Sequence, residues 1–125
     1  MIRDVIYRYR GTEYRLLFNL YAVEQIEDAF GSMRQAMEQL QTGKQFQALR
    51  ILFRILANGA RIEADEEPTV TGKEILKANF EEMKDLSDAI RLCLTLGKKT
   101  ETEAGEAGSD ERRELYDDEE DEKNG

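Results

Sequence analysis

The stretch Phe46-Gln47-Ala48-Leu49-Arg50-Ile51-Leu52-Phe53-Arg54-Ile55-Leu56-Ala57 decides the fold, because nine of its twelve residues are apolar. Wound at about 100° per residue, the polar positions Gln47, Arg50, Arg54 and Asn58 share a narrow arc, and the apolar arc spans roughly 240°. A surface helix needs much less. The spacing therefore predicts a helix over 45–58 that is central to its domain or covered in part by a partner, with Gly59 placed to end it.

Upstream of this helix the pattern changes period. Arg3, Val5, Tyr7 and Tyr9 alternate with Ile2, Asp4, Ile6, Arg8 and Arg10, which predicts a strand. Gly11-Thr12 supplies a turn, and the return strand sets Tyr14, Leu16 and Phe18 against Glu13, Arg15 and Leu17. Asn19 is a good N-cap for a helix from Leu20 to Phe30, with Val23, Ile26 and Phe30 on its inner face. Gly31 stops that helix, and Ser32 caps a second one carrying Met33, Ala36, Met37 and Leu40.

Downstream, residues 60–70 read as an acidic loop broken at Pro68. Thr71 with Glu74 fits a capping box for a short helix through Ile75 and Leu76, and Asn79 with Glu82 marks a further start. The last helix is expected from about Phe80 to Leu96, cored by Met83, Leu86, Ala89, Ile90, Cys93 and Leu94 and stopped by Gly97. The fold class is mainly α with a small N-terminal antiparallel β-hairpin, an α+β arrangement of four to five helices packed around a central apolar helix. Residues 1–97 form the domain and residues 98–125 a disordered acidic tail.

Charge divides at the same point. Residues 98–125 hold five basic and twelve acidic side chains, −7 of the net −9, while residues 1–97 hold 13 basic and 15 acidic ones. The tail has too few apolar groups to offset the entropy of ordering it. A near-neutral body with an acidic tail is a poor electrostatic partner for nucleic acid. No apolar run approaches the ~20 residues of a membrane span, and Met1-Ile2-Arg3-Asp4 lacks a signal-peptide core. A single cysteine suits a reducing compartment.

The chain has no histidine, which removes the usual general base, the commonest zinc ligand and the Ser-His and Cys-His arrangements. Cys93 lies on the apolar stripe and reads as a buried small hydrophobe. The run Asp117-Asp118-Glu119-Glu120-Asp121-Glu122 lacks the spaced ligands and glycine of a calcium loop and reads as a solvated tail; Leu115-Tyr116 before it is a candidate docking motif. Tyrosines and arginines interleave in the hairpin, but most lie on opposite strand faces, as a packed face backed by a solvated one. No catalytic or metal site is expected, and no cofactor, since no glycine-rich phosphate loop is present. Surplus apolar surface is the remaining signal. Ile51 and Ile55 extend the apolar arc of the central helix, and Leu92 and Leu96 that of the last helix, so these four are the expected partner-binding residues.

In this order of features the chain resembles the tail assembly chaperones of long-tailed bacteriophages and prophages. The resemblance covers about residues 2–96. It rests on the strand Gly11-Thr12-Glu13-Tyr14-Arg15-Leu16-Leu17-Phe18, the run Ile26-Glu27-Asp28-Ala29-Phe30-Gly31, a helix like Met33 to Leu40, the very apolar helix from Phe46 to Ala57, an acidic loop, and a last helix like Met83 to Leu96. The resemblance implies a non-enzymatic protein of the bacterial host cytoplasm, absent from the finished virion. It would hold the long helical tape-measure protein soluble until tail-tube subunits polymerise around it. It also implies a longer form made by ribosomal frameshifting, with the extension recruiting tube subunits, and Gly97-Lys98-Lys99 permits a slippery run of adenines. A self-associating structural or adaptor protein of a phage particle is the alternative, ahead of an enzyme or an acidic mimic of nucleic acid.

Overall fold

The computed structural model describes residues 4–108, with side-chain surroundings for 4–97. Two strands come first, β1 (Val5–Tyr9) and β2 (Thr12–Leu16), paired antiparallel with Val5 opposite Leu16 and Tyr7 opposite Tyr14. Tyr9 faces Thr12, so the two-residue turn is Arg10-Gly11, one residue earlier than Gly11-Thr12. Both turn residues have positive φ, 51° and 88°, as the twist of a tight hairpin requires. Tyr7, Tyr9 and Leu16 are buried. Arg8, Arg10 and Arg15 face outward and pair with Glu13, Glu82 and Asp4.

Four α-helices follow: α1 (Leu20–Phe30), α2 (Met33–Gln39), α3 (Gln45–Glu63) and α4 (Phe80–Gly108), with a 3-10 turn at Lys73–Ile75 between the last two. The N-caps that the sequence signals are formed, and so is the glycine stop after the first helix. Asn19 accepts from the Ala22 amide at 3.1 Å, Ser32 from Gln35 at 3.1 Å, and Gly31 closes α1 at φ 96°. Asn79 and Glu82 cap each other reciprocally at 2.8 Å, which starts α4.

The fold is mainly helical with an N-terminal hairpin, and α3 is its axis. Ten consecutive or near-consecutive residues of α3 are buried, from Ala48 to Ala60. Helices α1 and α2 and strand β2 pack on it, and Phe53 meets the rings of Tyr7 and Tyr14 edge-on at 6.2 and 5.0 Å.

Gly59 does not end α3. It lets the chain after β2 lie against the helix backbone: a Cβ there would sit 2.6 Å from the Leu17 carbonyl oxygen. The Leu17 amide donates to the Leu56 carbonyl at 3.0 Å, and the Asn19 side-chain amide donates to the Gly59 carbonyl at 3.0 Å. Gly97 does not end α4 either. Its backbone lacks the positive φ of a helix-closing glycine, and α4 continues to Gly108. A glycine inside a helix costs about 1 kcal/mol, which the helix-forming residues on both sides can outweigh. The expected tail thus begins as helix. Leu115-Tyr116 and the acidic run at 117–122 lie outside the described residues. The chain divides into two units, Met1–Leu94 and Thr95–Gly125. No helix among the described residues is long and apolar enough to cross a membrane.

Candidate partner-binding surface

Two helix starts and the end of the 3-10 turn converge on one side of the first unit, and each places an apolar side chain in water. Helix α3 begins after Lys44, and Phe46 falls in its first turn, before the helix enters the core at Ala48. The 3-10 turn is set by Glu74, whose carboxylate accepts from the Thr71 and Gly72 amides at 3.1 and 2.7 Å. That geometry sends Ile75 inward and Leu76 outward. Phe80 is the first residue of α4. Phe46, Leu76 and Phe80 are 49, 62 and 74% exposed. The two phenylalanine rings meet edge-to-face with centroids 6.1 Å apart.

Together they line an open groove of about 520 Å³ whose floor includes Ile75 and Met83 and whose wall includes Arg50. Leaving a large apolar side chain in water forgoes roughly 1.5–3 kcal/mol relative to burying it. Three neighbours left so form the kind of patch that marks an interface. The groove has a rigid frame. Burial pushes the Glu74 carboxyl up, but hydrogen bonds from its own amide, Thr71 and Gly72 outweigh this and hold its pKa below the usual value. Glu82 is held low by its hydrogen bond from Arg10, which grips it through two nitrogens at 2.9 and 3.0 Å, and by the Asn79 amide. The loop between α3 and the 3-10 turn is clamped by Asn58, which is itself buried. Its side-chain amide donates to the Val70 carbonyl at 2.8 Å and its oxygen accepts from the Val70 amide at 2.9 Å.

The four residues expected to bind a partner do not form one surface. Ile55 is 1% exposed and belongs to the core, and Ile51 is half-buried against it. The reason is the clamped loop. Ile51 lies two turns before Asn58 and Ile55 one turn before it, so all three point to the side on which Val70 is docked. Val70 and Ile51 both pack on the core cluster that contains Ile55. Leu92 is 51% exposed, while Leu96 is half-buried and belongs to the second unit. In the sequence Phe46 and Phe80 are apolar residues at helix starts, where the first turn projects beyond the core, and Leu76 is an apolar residue at the end of a short helix.

Cys93 is fully buried, and desolvation, with Asp4 adding a smaller effect, pushes its thiol up to about 12. Among the described residues no group of three or more His, Cys, Asp or Glu side chains is placed to hold a metal ion. Comparison with family models, with curated proteins and with solved structures finds no match to this chain.

Proposed function

We propose that this protein is a non-enzymatic tail assembly chaperone of a long-tailed phage or prophage, acting in the bacterial cytoplasm to bind and solubilise the tape-measure protein. The observation that carries the reading is the exposed groove of Phe46, Leu76 and Phe80 on a hairpin-plus-helix body, the order of elements on which the resemblance rests. A tape-measure chain presents apolar helix faces. Covering them in the groove removes apolar area from water on both partners, about 25 cal/mol per Å². The chaperone leaves when tube subunits take over those faces, so it is absent from the finished particle. A frameshift at Gly97-Lys98-Lys99 would exchange sequence inside α4, since the helix runs on to Gly108.

Co-expression with the tape-measure protein tests this. The triple variant Phe46→Ser, Leu76→Ser, Phe80→Ser keeps the helical circular dichroism of the parent, because all three side chains are exposed, and leaves the tape-measure protein in the pellet. If that variant is folded and still holds its client in solution, the groove is not the capture surface. Persistence of the protein in purified virions would favour the structural or adaptor reading instead.

A further inference from the structure

Building on the chaperone reading, we infer that the Phe46–Leu76–Phe80 groove takes an amphipathic helix bearing a carboxylate beside its apolar stripe, and that this carboxylate pairs with Arg50. The secondary structure of the occupant follows from the walls. The groove is bounded by the first turns of two helices and a 3-10 turn, with no strand residue among those that line it. A strand laid there would find no ladder of backbone groups, whereas a helix satisfies its own and offers side chains at i, i+3, i+4 and i+7. A small molecule is a poorer fit, because such sites enclose most of their ligand, and the walls here are exposed side chains.

Charge fixes the stripe's neighbour. Among the described residues Arg50 is the only charged one lining the groove, and no carboxylate lines it. Among the described residues Arg50 makes no ion pair. Its stem and one guanidinium nitrogen pack beside Gly72, where an added Cβ would lie 3.4 Å from Arg50 Cγ and 3.7 Å from Nη1. The nearby acidic groups are engaged or peripheral: Glu74 is turned to the Thr71 and Gly72 amides, Glu82 is held by Arg10, and Glu81 stands exposed beside Phe80. Lys73, Lys77 and Lys84 are also exposed near the lining residues in sequence. A guanidinium beside an apolar channel selects a planar anion that accepts two hydrogen bonds.

Two synthetic helical peptides with one leucine stripe, one flanked by glutamates and one by lysines, are titrated against the full-length chain and read by fluorescence anisotropy. The glutamate peptide is expected to bind at least about tenfold more tightly, and Arg50→Glu to reverse that order. The coupling between position 50 and the peptide's charge separates this pair from general attraction to the acidic tail, which both proteins share. Should Arg50→Glu fail to fold, Arg50→Gln must abolish the preference. Equal binding of both peptides to the wild type, or a preference unchanged by either variant, overturns the inference. An Arg50-dependent preference alongside an insoluble tape-measure protein would instead sink the chaperone reading and leave the groove's specificity standing.

Discussion

Adding a single methyl group at Gly59 should loosen the joint between the hairpin and the central helix. On an isolated helix, Gly→Ala is stabilising by about 1 kcal/mol, since alanine restricts the unfolded backbone and suits the helix. Here the new Cβ would stand 2.6 Å from the Leu17 carbonyl oxygen and 3.1 Å from Asn19 Oδ1. The first of these is backbone and cannot rotate away. The chain must back off, stretching the Leu17–Leu56 and Asn19–Gly59 hydrogen bonds, both 3.0 Å. Each is worth about 0.5–1.5 kcal/mol, and forcing a methyl into a packed site costs about 1–3 kcal/mol more. Against the propensity gain, the net is a loss of about 1–5 kcal/mol. Urea unfolding followed by circular dichroism measures it. Gly43→Ala is the control, because its added Cβ meets nothing within 4 Å and its φ is not positive; it should be neutral or slightly stabilising. A Gly59→Ala protein as stable as wild type would refute the close-approach argument.

Ile55→Ala should destabilise the fold by about 2–4 kcal/mol, as a buried core truncation does, while Leu92→Ala stays within about 0.5 kcal/mol; parallel urea melts of the two variants check this. Cys93 should react with a thiol reagent only as fast as the chain opens, so its labelling rate should rise steeply with urea; rapid labelling of the native protein would mean that the thiol is accessible. Acid should weaken the protein through Glu74 and Glu82. Both folded-state pKa values are depressed, so the stability they add is complete above the ordinary carboxyl value of 4.5 and lost as pH falls through the depressed one. The Tm measured from about pH 7 to about pH 3 should fall below that point, and Glu82→Gln should flatten the decline while lowering the neutral-pH plateau.

Local signals were legible in the sequence, and long-range ones were not. The alternation of Tyr7 and Tyr9 with Arg8 and Arg10, the caps at Asn19 and Ser32, and the paired capping residues Asn79 and Glu82 involve neighbours a few positions apart, and all appear where their spacing puts them. Gly59 was misread as a stop because its function is set by Leu17 and Asn19, about forty residues away in sequence. Asn58 looked like part of a solvated arc for the same reason: its partner is Val70, in a loop with no regular pattern. Ile51 and Ile55, an expected surface, pack in the same core cluster as Val70. Gly97 was misread for a different reason. Whether a glycine ends a helix depends on its adopting positive φ, and composition alone does not determine that.

If the proposed function holds, the Asn58 clamp also ties client capture to the folding equilibrium. Phe46 comes from one end of the groove's sequence and Leu76 and Phe80 from the other, and the Val70 loop holds the two ends together. An opened loop would therefore lack the groove, and only the closed form would bind the proposed client. By mass action, a client at a hundred times its dissociation constant stabilises the closed form by about 2.7 kcal/mol. Occupancy would then protect the loop from proteases, so the loop's rate of cleavage becomes a gauge of how much of the protein is carrying a client.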